Sequence, residues 1–243
     1  HSDSSAASDV YKRQMYEYLS QLDRFLHVLF GIVWIGLLYY FNFVGAGYLK
    51  EATPEGKKDV LQKLVPKALW YFRWAALLTF LTGVYLLYYV SEIPGAYNVG
   101  ISLGATMATI MFLNVWLIIW PNQKKVIAGT QDAAEAGAKA ALASRTNTLL
   151  SFPMLYFMIY SAHINFGNDP LLLLGGELGP GWSSYSLWVG ILLIIAIEWN
   201  AIFGKMRKWL ESVKAVIHSG LILTVFYGAV SYTHLRAHET RTH

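Results

Sequence analysis

His27, His163 and His218 each stand inside a long apolar run of this 243-residue sequence, where an ionisable side chain is costly and usually marks function. An imidazole in that setting can bridge two helices, pass protons, or give a nitrogen lone pair to a metal. Depth sorts the three. Read as helices, the runs put His27 near the outer end of the first and His163 near the outer end of the fourth, so these two share a level. His218 falls about a turn inside the opposite end of the sixth run, roughly 20 Å away along the membrane normal. A six-coordinate haem iron takes one imidazole on each side, typically from different helices. His27 and His163 meet that condition as ligands of the iron of a haem b, and His218 cannot pair with either. Gly31 and Gly36 would let a flat macrocycle or a neighbouring helix approach the first run. The plainer alternative is that each histidine donates one interhelical hydrogen bond or sits in the aromatic interface belt.

A second constellation lies toward the other leaflet. Asn42, Arg73, Asn114, Glu198 and His218 come from five different apolar runs and are expected to converge there. Glu198 and His218 lie at similar depth, so a hydrogen-bonded pair between them would relay protons or hold a polar aromatic substrate or quinone. The alternative is a structural polar network, with Arg73 reaching for the headgroups. Met154 and Met158 are formal axial-ligand candidates, but core packing suits them better. No Gly-rich phosphate loop, nucleophile–base motif or zinc spacing such as H-E-x-x-H is present.

The elements that must position these residues follow from composition. With 55% hydrophobic and 14% charged residues and nine tryptophans, the chain reads as an all-α, polytopic membrane helix bundle. About six runs suit a bilayer span: Phe25–Val44, Ala68–Val90, Ile101–Trp120, Thr148–Ile164, Tyr185–Phe203 and Ala215–Val230. Lysine and arginine crowd the loops Gly45–Lys67, Pro121–Asn147 and Gly204–Lys214 and are missing from Ser91–Gly100 and Asn165–Ser184. By the positive-inside rule the basic loops are cytoplasmic and the N-terminus is outside. The charge of +4 is therefore a topology signal and gives no reason to expect nucleic acid as a partner. Thr53-Pro54-Glu55 reads as the start of a short cytoplasmic helix. Asp132–Ser144, rich in alanine, should extend the third or fourth span into the cytoplasm. The loop after His163 is rich in Gly and Pro and expected to be irregular. Cysteine is absent, which excludes disulfides, iron–sulfur clusters and covalent haem c attachment within this sequence.

Both ends differ in composition from everything between them. Ser4–Gln14, SSAASDVYKRQ, and Val230–Thr240, VSYTHLRAHET, resemble translated sequencing-adapter sequence. Residues 1–14 and 230–243 are therefore set aside as adapter-derived, leaving 15–229 as the membrane helical domain. His1, His234, His238 and His243 drop out as ligands, and the natural chain is expected to continue beyond the sixth run.

Four stretches carry a family resemblance: LHVLFGIVWIGLLYYFNFV (Leu26–Val44), LVPKALWYFRWAALLTFLTGVYLL (Leu64–Leu87), MFLNVWLIIWPNQKKVI (Met111–Ile127) and SRTNTLLSFPMLYFM (Ser144–Met158). Together they resemble the membrane domain of the bacterial membrane-anchored urate oxidases, or urate hydroxylases of the PuuD type. The asparagine, proline and basic residues around Pro121 and the RTN-x-x-x-S-x-P pattern from Arg145 are its more specific parts. The resemblance implies a multi-pass protein of the bacterial inner membrane that oxidises urate to 5-hydroxyisourate. Electrons would leave through haem to a cytochrome c, carried either on a domain after the spans or on a separate protein. On that reading His27 and His163 hold haem b, while Arg73, Asn114, Glu198 and His218 handle substrate or protons; these roles come from depth and not from the family.

Two other classes compete. A transporter or proton-coupled channel would use Arg73, Glu198 and His218 as a path and bind no cofactor, and matching broken helices would favour it. A non-catalytic haem-bearing membrane subunit would dock a soluble partner and oxidise nothing.

Overall fold

The computed structural model is described over residues 2–93, 97–163, 185–204 and 208–239. Every element among them is helical. In chain order they are α1 (Ser2–Tyr39), a π-helical turn (Tyr40–Gly45), α2 (Ala46–Glu51), α3 (Pro54–Lys63), α4 (Val65–Ser91), α5 (Val99–Leu113), a second π-helical turn (Asn114–Ile119), α6 (Trp120–Ala128), α7 (Ala133–His163), α8 (Tyr185–Phe203), a 3-10 turn (Lys208–Leu210) and α9 (Val213–Glu239). The all-α bundle expected from composition is present.

Three helical stretches, Val10–Glu51, Val65–Ser91 and Val99–Ala128, are long and apolar enough to cross a membrane, and Leu187–Phe203 and Val213–Ala229 are shorter apolar helices. Membrane location is thus plausible on length and composition. The fourth run belongs to α7, which is continuous with the alanine-rich stretch before it. Its polar content has a structural reason. Thr146, Asn147, Thr148 and Ser151 are fully buried, because α5, α6, α8, α9 and the end of α1 all pack around this helix. Thr146 and Thr148 return their hydroxyl protons to Leu142 and Ser144 carbonyls at 3.0 Å, and Ser151 donates to the Thr148 carbonyl at 2.7 Å. Back-bonding of this kind is how hydroxyls are buried in helices without a free donor.

Small residues set the helix spacings. Phe157 of α7 lies against Gly100 and Gly104 of α5, and Leu103 of α5 against Gly190 of α8. Gly220 of α9 meets the Phe152 ring and the Leu149 carbonyl. That carbonyl is the one Pro153 deprives of its i+4 amide donor, so the proline notch and the glycine face each other.

Local signals act as expected at α3: Thr53 Oγ1 accepts from the Gly56 amide at 3.2 Å, with Pro54 opening the helix and Glu55 in its first turn. Pro121 does not end the third run. The preceding π-helical turn absorbs the missing donor, and Asn122 Nδ2 donates to the Ile118 carbonyl at 2.7 Å. The loop from Asn165 to Ser184, expected to be irregular, lies outside the described residues.

Candidate functional site

Asn114 is the first residue of the second π-helical turn, and its backbone amide is shared between the Ile110 and Met111 carbonyls. The side chain is almost wholly buried and donates both amide protons, to Asn147 Oδ1 at 2.9 Å and to Glu198 Oε2 at 3.1 Å. Asn147 Nδ2 in turn donates to the Met111 carbonyl at 2.9 Å. A carbonyl can only accept, so Asn147 must turn its nitrogen to Met111 and its oxygen to Asn114, and both amide orientations follow. Three helical segments meet at this node: the π-helical turn, α7 and α8.

Its remaining valences are of mixed kind. Among the described residues Asn114 Oδ1, Glu198 Oε1 and one Asn147 N–H have no protein partner, and no lysine, arginine or histidine pairs with Glu198. Asn147 and Asn114 are enclosed by the bundle, so the half-buried Glu198 carboxyl, held by one amide, is the group of the node that can exchange a proton with a bound molecule.

A parallel arrangement sits at the first π-helical turn. Asn42 Nδ2 donates to Ser144 Oγ at 2.7 Å and to the Leu38 carbonyl at 2.9 Å. Tyr39 and Ser151 hydroxyls are 2.9 Å apart, and since Ser151 gives its proton to Thr148, Tyr39 is the donor. Ser144, Asn147 and Ser151 therefore form one polar stripe on α7 at i, i+3, i+7 spacing, and both π-helical turns dock on it through asparagines. Sequence reasoning missed Asn147, Ser144, Ser151 and Tyr39, although the polar residues from Ser144 to Ser151 already carry helical spacing.

The five-residue convergence reduces to Asn114 with Glu198. His218 is exposed, and its Nδ1 lies 2.7 Å from the Lys214 carbonyl of its own helix. Val216 and Gly220 supply the buried side of α9, and a residue two positions from each lies across the helix from them. The expected Glu198–His218 pair is therefore not formed. Arg73 lies with its guanidinium carbon 3.8 Å from the centre of the Trp120 ring, and Asn42 bonds α7 separately from Asn114.

His27 projects from α1 onto α4, with Nδ1 3.0 Å from Thr82 Oγ1. Thr82 Oγ1 bonds the Leu78 carbonyl at 2.7 Å and the Thr79 carbonyl at 3.1 Å; with its proton placed there, its oxygen accepts in the His27 tautomer that carries Nδ1–H, and that tautomer leaves Nε2 its lone pair. A metal-binding histidine is oriented in this way. Of the two glycines expected to admit a neighbour, Gly31 faces Thr79 of α4, whose methyl would lie 3.9 Å from an added Cβ, while Gly36 has open space; a tighter approach is at Gly83, where a Cβ would meet His27 Cε1 at 3.0 Å. His163 is the last residue of α7, and its side chain lies outside the described residues. Along their own helices His27 and His163 each lie twelve residues from the Tyr39–Ser151 bond that joins α1 to α7. The donor set at His27 is thus compatible with a haem b ligand. Met154 is buried in the core.

A family model described as urate oxidase N-terminal matches residues 94–169. No curated protein and no solved structure matches the chain. The matched region runs from the start of α5 past the end of α7, and so contains Asn114, the π-helical turn, Asn147 and the RTN-x-x-x-S-x-P pattern. The chain carries a urate oxidase-related segment.

Proposed function

We propose that this chain is a membrane-bound, haem-containing oxidoreductase that converts urate to 5-hydroxyisourate and passes the electrons to a cytochrome c. The observation that carries the proposal is that the urate oxidase-related segment contains the Asn114–Asn147 node to which Glu198 is bonded. Urate is a flat ring edged by alternating N–H donors and carbonyl acceptors. Glu198 Oε1, on the half-buried carboxyl that Asn114 holds, is an acceptor suited to an N–H of such an edge. The conversion consumes urate and water and yields 5-hydroxyisourate, two electrons and two protons. Water supplies the new C–O bond, and Glu198 is the residue at the node able to accept a proton. Asn114, by holding one carboxyl oxygen, aims the other.

Haem b, when bound, supplies one-electron transfer between substrate and acceptor. His27 would present Nε2 to it, fixed by Thr82, and His163 is the proposed second ligand. The setting is the bacterial inner membrane, with the N-terminus outside and the bilayer, a cytochrome c and a small purine as partners.

The test is a reduced-minus-oxidised absorption spectrum of the purified protein expressed with added haem, followed by anaerobic addition of urate. A b-type spectrum that urate itself reduces supports the proposal. No haem signal, or a signal untouched by urate, refutes it. The polar stripe on α7 is the one observation on the side of transport, and urate uptake into vesicles without oxidation would favour that reading.

A further inference from the structure

We infer that Arg73, Trp120 and Lys124 form a binding site for the phosphate of an anionic phospholipid on the cytoplasmic side of the bundle. Arg73 lies with its guanidinium carbon 3.8 Å from the Trp120 ring centre, and Lys124 Nζ is 5.5 Å from the same centre. Both distances are within cation–π range. Stacking occupies the guanidinium's face and leaves its N–H edge, which is the part that matches a phosphate. Among the described residues no carboxylate pairs with Arg73 or Lys124, and no protein carbonyl takes an Arg73 proton.

Depth identifies the acceptor. α4 runs 27 residues, about 40 Å, against a hydrocarbon core of about 30 Å. With the roughly 10 Å surplus at its N-terminal end, which follows the lysine-bearing α3, the first two turns stand at headgroup level, and Arg73, about 12 Å from Val65, lies just inside it, from where its long side chain can reach the phosphates. Arg73 is half-buried two turns into α4, beside the exposed Trp70 and Trp74. Trp70 and Trp74 have ring centres 6.4 Å apart, and Trp74 meets Trp116 at 5.8 Å. A run of tryptophans of this kind marks the interface between lipid tails and headgroups. At that level a cation without a carboxylate faces lipid phosphate, and the second cation on the same ring favours a lipid with net negative charge. The site is independent of the urate reading: it uses neither Glu198 nor His27.

The experiment is native mass spectrometry of the full chain released from bilayers of phosphatidylcholine with a minor fraction of phosphatidylglycerol, in wild type, Arg73→Gln, Lys124→Gln and Arg73→Lys. Retained phosphatidylglycerol should fall about fivefold for each cation removed, with Arg73→Lys between wild type and Arg73→Gln because the fork and the stack are lost while the charge stays. Lys124→Gln leaves the Arg73–Trp120 stack in place and guards against misfolding of the Arg73 variants. Lys139→Gln, at an exposed lysine already paired with Glu135, serves as the control. Equal retention in all variants, or a loss no greater than that of Lys139→Gln, overturns the inference. Displacement of the lipid by millimolar inorganic phosphate would overturn it too, since the site would then hold free anions.

Discussion

Asn114 donates to Asn147 Oδ1 at 2.9 Å across the centre of the bundle, while Asn147 donates back to the Met111 carbonyl one turn before Asn114. The two amides lock the widened turn of one helix against the middle of another. Glu198 is held on the same knot, so the carboxyl is positioned by packing that also holds the fold together.

Replacing Asn147 with leucine should destabilise the protein by roughly 1–3 kcal/mol, because it leaves one side-chain N–H of the buried Asn114 without an acceptor away from water. Thermal unfolding in detergent checks this. Asn147→Leu should also loosen Glu198, so substrate affinity should drop in protein that is still folded. Unchanged stability would mean that water already satisfies the node.

At Gly220 an added methyl would run into the Phe152 ring and the Leu149 carbonyl. Gly220→Ala should cost about 1–3 kcal/mol through overpacking of α9 on α7, whereas Gly36→Ala, in open space, should be near neutral. Paired melting curves decide it.

His27→Ala should abolish a b-type spectrum. Thr82→Val keeps the shape of the threonine but removes the oxygen that accepts from His27 Nδ1–H. It should retain haem and shift the midpoint potential, since the hydrogen bond to the ligand tunes the metal. A spectrum and potential identical to wild type would show that His27 bridges two helices and holds no iron.

Lys125 and Thr130 hold the Asp132 carboxyl below the usual aspartate range at the turn between α6 and α7. A depressed folded-state pKa contributes stability that is complete above the unfolded value of about 3.9 and is lost as pH falls through the lower folded value. Both side chains are about half exposed, so the effect is small. Melting curves of wild type and Asp132→Asn should differ slightly at neutral pH and converge in acid.

The apolar helical runs and the α3 cap were legible in the sequence, because hydropathy and capping are one-dimensional signals. Helix rotation was not. α9 is apolar all round, so nothing in its pattern told that Val216 and Gly220 face inward and His218 outward. Arg73 looked like a member of the polar cluster because depth alone was read; its partner Trp120 lies on another helix. Asn147 was hidden for the opposite reason. It is the last residue of Pro121–Asn147, which reads as a cytoplasmic loop, yet the stretch from Thr146 to Ser151 is wrapped by neighbouring helices and fully buried. The π-helical turns leave no mark in composition, although asparagine at each and Pro121 after the second are consistent with them.

The most direct test follows urate consumption and acceptor reduction together, in haem-loaded membranes supplied with cytochrome c, for wild type and Glu198→Gln. Wild type should turn over urate with two electrons delivered per molecule, and Glu198→Gln should lose about a hundredfold or more in rate while keeping its haem spectrum. Wild-type membranes that leave urate untouched, or a Glu198→Gln variant as fast as wild type, would contradict the account.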